Sequence, residues 1–152
     1  MNRRIVVSGI GLVSAFGTGV SRYWYGLCAG RSALAPARRF AELPGYQGEP
    51  VGEVPDFDPL GEPRKSAYTL AALAEAQRAA RLPALPPGTL VILVGQAPTP
   101  EDGGQLDEDQ RELFGPSAAL RPDGAAVLHL SHACASAAFA VALARTALTA
   151  GA

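Results

Sequence analysis

Cys134 is the residue of this sequence best placed to do chemistry. It stands in Val127-Leu128-His129-Leu130-Ser131-His132-Ala133-Cys134-Ala135-Ser136-Ala137-Ala138, where a β-rich apolar run feeds an alanine-rich helix. A helix N-terminus presents unpaired backbone N–H groups and a partial positive charge. A thiol held there has its thiolate stabilised, and the same N–H groups can hold an oxyanion during acyl transfer. Cys134 is therefore a candidate acyl-accepting nucleophile. The competing reading is a small buried apolar residue, the usual state of a free cysteine. The local sequence leaves both open.

The other chemistry-bearing residues are sparse. The chain has 2 histidines, His129 and His132, both just upstream of Cys134. Strand alternation puts them on opposite faces; either one borders the thiol or serves as a strand residue with local hydrogen bonds. Gly9-x-Gly11-x-x-Ser14 follows an apolar run, as a dinucleotide-binding turn does, but the third Gly is missing. No acidic residue precedes Glu42, well beyond the offset of about 20 residues that a ribose contact requires. The acidic stretch from Pro98 to Leu113 lacks the regular oxygen spacing of a calcium loop and reads as a solvated loop. No metal site and no bound cofactor are expected.

These residues must be positioned by a chain of 152 residues, one ordinary domain in length, 48% hydrophobic and with a net charge of −1. Such a charge gives no electrostatic case for nucleic acid or an anionic membrane. Cys28 and Cys134 form no CxxC or metal pattern, which favours a reducing, cytoplasmic compartment. The basic Met1-Asn2-Arg3-Arg4 and the apolar run to Phe16 mimic a signal peptide. Ser8, Gly9, Gly11 and Ser14 interrupt that run, and no Ala-x-Ala cleavage site follows. No apolar run is expected to reach the roughly 18 residues of a membrane helix without Gly or polar breaks.

The pattern predicts strands at Ile5–Ser8, Val51–Val54 and Thr89–Val94. It predicts helices at Arg22–Ala29, with Ser21 as N-cap and Gly30 as closure, and at Ser66–Leu82, stopped by Pro83. Trp24, Leu27 and Cys28 share one helical face and are expected in the core. On the second helix Leu70, Leu73, Ala76 and Ala80 are expected inward, with Glu75, Arg78 and Arg81 toward water. The last helix, Ala133 to Ala150, has one charge, Arg145, and apolar residues all round. Such a helix needs cover on every side, which one small sheet cannot give. Alternating strands and helices define an α/β fold with a largely parallel sheet.

Several segments, in order, resemble the N-terminal half of a β-ketoacyl synthase, a condensing enzyme of fatty-acid and polyketide synthesis with the thiolase fold. They are Arg4-Ile5-Val6-Val7-Ser8-Gly9-Ile10-Gly11-Leu12-Val13-Ser14, Trp24 with Gly30-Arg31-Ser32, Gly52-Glu53-Val54-Pro55-Asp56-Phe57-Asp58-Pro59, the alanine-rich helix over 66–82, and Ala133-Cys134-Ala135-Ser136. The resemblance implies that residues 1–152 form half of a thiolase-like domain, with a five-stranded, mostly parallel sheet, helices on both faces and no C-terminal half. It implies that Cys134 is acylated from the phosphopantetheine arm of an acyl carrier protein, with its own backbone N–H in the oxyanion hole.

The sequence departs from the family in three places. The family's decarboxylating histidine pair lies in the C-terminal half, and His129 and His132 do not correspond to it. The segment between Gly95 and Cys134 is shorter than usual. Ala137 stands where the family usually has Gly, and His132, two residues before the cysteine, is also unusual. In the thiolase fold the cysteine helix lies between two sheets, so the resemblance implies a partner: a full-length ketosynthase or a second copy of this chain. Two roles follow, a chain-length-factor-like subunit or the nucleophile-bearing half of a split synthase. Whether the chain is itself an enzyme stays open at this point.

Overall fold

The computed structural model describes residues 4–57, 64–95 and 126–151. The chain divides into two units, Ser8–Pro83 and one made of Met1–Val7 with Ala84–Ala152.

In the first unit a tight hairpin pairs β1 (Val13–Ser14) with β2 (Gly17–Thr18) in antiparallel register. It leads into α1 (Val20–Cys28), whose N-cap is Gly19 rather than Ser21. α1 ends as expected at Gly30, which takes φ 62°. Gly30 N–H donates to the Leu27 carbonyl at 2.9 Å, and Arg31 N–H donates to Gly26 at 3.0 Å. That pair of bonds closes a helix whose next residue is left-handed, a conformation that favours glycine.

The buried face of α1 is not the expected one. Trp24 is 65% exposed, and Leu27 and Cys28 are exposed. The helix instead presents Tyr23 and the buried Gly26 to Phe16 at the hairpin tip. The Phe16 and Tyr23 rings meet edge to face, 6.1 Å apart. Both faces of this short helix carry large apolar groups, so periodicity alone did not say which one the hairpin would cover.

β3 (Ala35–Pro36) pairs antiparallel with β4 (Pro50–Val51). The Tyr46 hydroxyl ties their connection, accepting the Ala37 N–H and donating to the Glu49 carbonyl at 2.8 Å. α2 (Arg64–Ala80) follows. It ends with Arg81 at φ 57°, Arg81 N–H on the Arg78 carbonyl and Leu82 N–H on the Gln77 carbonyl. This is the two-bond closure usually given to glycine, and Pro83 prevents further turns.

The backbone of residues 9–11 lies against α2. A Cβ at Gly9 would overlap the Ala76 carbonyl, and one at Gly11 would overlap the Ala72 carbonyl. The Gly-x-Gly pair is thus matched to an alanine stripe at i, i+4 spacing on one helix face. That contact accounts for the glycines without any dinucleotide.

In the second unit β5 (Leu90–Val94) and β6 (Ala126–Leu130) run parallel, with Leu90 opposite Ala126 and Val94 opposite Leu130. α3 (Ser136–Ala150) follows β6 after a short turn and lies on β5. Ala140, Leu143, Ala144 and Ala147, spaced as one helical stripe, are half-buried.

The expected five-stranded sheet is not found among the described residues, which form three two-stranded sheets. Ile5–Ser8 is irregular, with Val7 78% exposed. A β-branched run records strand propensity, but a strand also needs a neighbouring backbone to bond. Within the described residues none pairs with it. The acidic stretch, and residues 96–125 of the shortened segment between Gly95 and Cys134, lie outside the described residues.

Candidate functional site

The turn between β6 and α3 holds Cys134. Helical geometry begins at Ser136, with Ala135 as N-cap, so the thiol stands two residues ahead of the first helical residue and not on the helix itself. The reason is local. Ala133 has φ 46°, the left-handed region, which interrupts any helix starting at 133 and costs a residue with a Cβ about 1–2 kcal/mol. Strained backbone of this kind clusters at functional sites. Cys134 is exposed, which excludes the reading of a buried apolar filler. Cys28, read as a core residue from its helical face, is exposed as well.

Hydrogen bonds fix the turn. Ala135 N–H donates to the His132 carbonyl at 3.0 Å, and Ser136 N–H donates to the Ala133 carbonyl at 3.2 Å. The Ser136 hydroxyl accepts the His132 N–H at 2.7 Å and donates to the Ala133 carbonyl at 2.8 Å. The sequence pointed to Cys134 but not to Ser136. An N-cap residue type at the start of an alanine run was the available signal.

The two histidines separate. His129 lies in β6 opposite Leu93. The His132 ring packs edge to face on Phe139 of α3, centroids 4.2 Å apart, which seats it on the first turn of the helix. Among the described residues no group of three or more His, Cys, Asp or Glu side chains is placed to hold a metal ion.

Glu53 and Asp56 are structural clamps. Asp56 accepts the Thr18 N–H and pairs with Arg22 at 2.7 Å. The Thr18 N–H, and then the Arg22 guanidinium, hold its carboxyl below the ordinary value of 3.8. Glu53 accepts the Arg39 N–H at 2.8 Å and Arg38 Nε at 3.0 Å. These bonds, the Arg39 N–H foremost, lower its carboxyl below 4.5. Glu75, expected to face water, is half-buried and accepts two backbone N–H groups, Leu12 and Val20, each at 2.9 Å.

α3 carries a large apolar surface. Val141 is 69% exposed and Leu148 52%, and Phe139 is also exposed. The window Ala133–Ala150 is long and apolar enough on average to cross a membrane, with a mean hydropathy of 1.5, although Ser136, Arg145, Thr146 and Thr149 interrupt it. Its 15 helical residues rise only about 22 Å at 1.5 Å each, short of the roughly 30 Å of a bilayer's hydrocarbon core.

Comparison with known proteins agrees with this architecture. The fold superposes on the ishigamide ketosynthase/chain length factor with a TM-score of 0.75, covering 99% of this chain and 45% of that one at 24% identity. The chain therefore shares the α/β fold of that structure.

In sequence the chain is 42% identical over 57 residues to the 3-oxoacyl-[acyl-carrier-protein] synthase 2 of Coxiella burnetii, a match covering 38% of this chain and 14% of that protein. It is 40% identical over 60 residues to the tetracenomycin polyketide synthase ketoacyl synthase alpha subunit of Streptomyces glaucescens, covering 40% and 14%. The chain is a relative of the β-ketoacyl synthases, and the matched segments span about a seventh of the length of these two curated relatives, 14% of each. No protein-family model matches it.

Proposed function

We propose that this chain is a cytoplasmic ketosynthase-like subunit of fatty-acid or polyketide chain elongation that pairs with a complete ketosynthase in a chain-length-factor-like role. The observation that carries the reading is the superposition of 99% of the chain on a ketosynthase/chain length factor. The exposed Val141 and Leu148 of α3, seven residues apart on one helix face, support it, because an exposed apolar face suits a protein interface. His129 and His132 do not stand for the family's decarboxylating pair, so the condensing step draws its histidines from outside residues 1–152. The test is co-expression with a complete ketosynthase. Co-purification as a stoichiometric complex, with product length altered relative to the ketosynthase alone, is the expected result. A chain that elutes separately and leaves the product unchanged refutes it.

One observation favours a second reading. Cys134 is exposed beside a strained Ala133, and a purely structural subunit has no use for a thiol there. In this reading Cys134 is the nucleophile of a split condensing enzyme. Its thiolate attacks the thioester carbonyl on the phosphopantetheine arm of an acyl carrier protein. A new C–S bond forms to Cys134, the C–S bond to the arm breaks, and the arm leaves as a thiolate that takes up a proton from solvent. Intact mass spectrometry after mixing with an acyl-pantetheine thioester, with and without the ketosynthase, separates the readings. Acylation that disappears in Cys134→Ala supports the split enzyme; an unmodified chain under both conditions supports the subunit role.

A further inference from the structure

Among the described residues Ser136 is the buried polar side chain, 7% exposed. Its hydroxyl lies between the two backbone groups that precede the cysteine, taking the His132 N–H and giving its proton to the Ala133 carbonyl. Ala133 is held at φ 46° between them. A residue with a Cβ keeps such a conformation only where its surroundings over-determine it, and here one hydroxyl supplies two of the restraints. Without it the His132 N–H loses a buried acceptor, and Ala133 is free to return to negative φ. That rotation turns the following peptide and re-aims the Cys134 backbone N–H and side chain together.

We infer that Ser136 is a positioning residue for the Cys134 thiol, setting the turn that presents it. Its consequence for acyl transfer rests on the second reading above; its effect on the thiol does not. Ser136 itself touches no reacting atom.

The test follows alkylation of Cys134 and Cys28 by iodoacetamide in the full chain, by peptide mass spectrometry from neutral to alkaline pH. Ser136→Ala is expected to slow Cys134 roughly tenfold, the loss of two hydrogen bonds of ordinary net strength. Cys28 keeps its wild-type rate. Ser136→Thr, which retains the hydroxyl, restores the rate. An unchanged Cys134 rate in folded Ser136→Ala overturns the proposal, as does equal slowing of Cys28.

Hydrogen exchange of the His132 amide in the wild-type chain needs no variant. Protection is expected, and exchange at the rate of a free amide overturns the proposal even if Ser136→Ala fails to fold. Acyl-pantetheine labelling of the wild-type chain is scored separately. Absence of label there removes the acyl-acceptor reading and leaves the alkylation comparison to decide on Ser136.

Discussion

The Glu75 carboxylate accepts the Leu12 backbone N–H at 2.9 Å across 63 residues of sequence. Its other oxygen takes the Val20 N–H at the start of α1. One side chain of α2 thus holds both ends of the β1–β2 hairpin. Glu75→Ala leaves two partly buried donors without this acceptor and is expected to destabilise the Ser8–Pro83 unit by about 2 kcal/mol. Glu75→Gln, with one oxygen, should fall between. Urea titration followed by circular dichroism measures both, and a loss in Glu75→Ala no larger than in an exposed control such as Arg78→Ala refutes the clamp.

Gly11→Ala should be more damaging than its one added methyl suggests. The new Cβ would overlap the Ala72 carbonyl, a backbone atom that cannot swing away. Separation of the 9–11 segment from α2 follows, at a cost of about 1–3 kcal/mol. Ser21→Ala, at an exposed position on α1, serves as the comparison. Equal thermal midpoints for the two variants would show that the close approach is not required.

Acid should loosen this same unit. Asp56 and Glu53 both titrate below their ordinary values of 3.8 and 4.5 in the folded chain. A carboxyl whose folded value is depressed contributes stability that is complete above the unfolded value and disappears as pH falls through the folded one. The urea midpoint is therefore expected to hold steady at neutral pH and to drop below about pH 4. Asp56→Asn should lower the neutral-pH midpoint and flatten the acid limb. A variant with the wild-type acid limb contradicts the assignment.

The apolar surface of α3 predicts association. Val141 and Leu148 share one face, and a Val or Leu side chain gains up to about 1.5–3 kcal/mol on full burial, so the purified chain should self-associate or recruit its partner at micromolar concentration. Val141→Glu with Leu148→Glu should suppress both. Sedimentation velocity gives the answer: a well-folded monomer over the whole concentration range for the wild-type chain counts against the interface.

The sequence by itself determined the short-range features. The closure of α1 at Gly30, the helix running into Pro83, the β-branched strand after Thr89 and the strand-to-helix step around Cys134 are each encoded by neighbours within a few residues, through backbone preference and side-chain period. The order of the motifs also carried the kinship to β-ketoacyl synthases, because a series of weak local signals is specific when the spacing repeats.

Tertiary structure decided what depends on a surface distant in sequence. Which face of α1 is covered was set by Phe16, and Glu75 became a clamp rather than a solvated charge because two N–H groups from residues 12 and 20 arrive beside it. The Gly-x-Gly pair, ambiguous as a motif, was settled by the carbonyls of Ala72 and Ala76 lying where a Cβ would go. The position of the thiol turned on one dihedral angle, φ 46° at Ala133, which alanine does not advertise and which the folded turn imposes through the buried hydroxyl of Ser136. Periodicity encodes what a segment prefers to bury; only the partner surface fixes which preference is met.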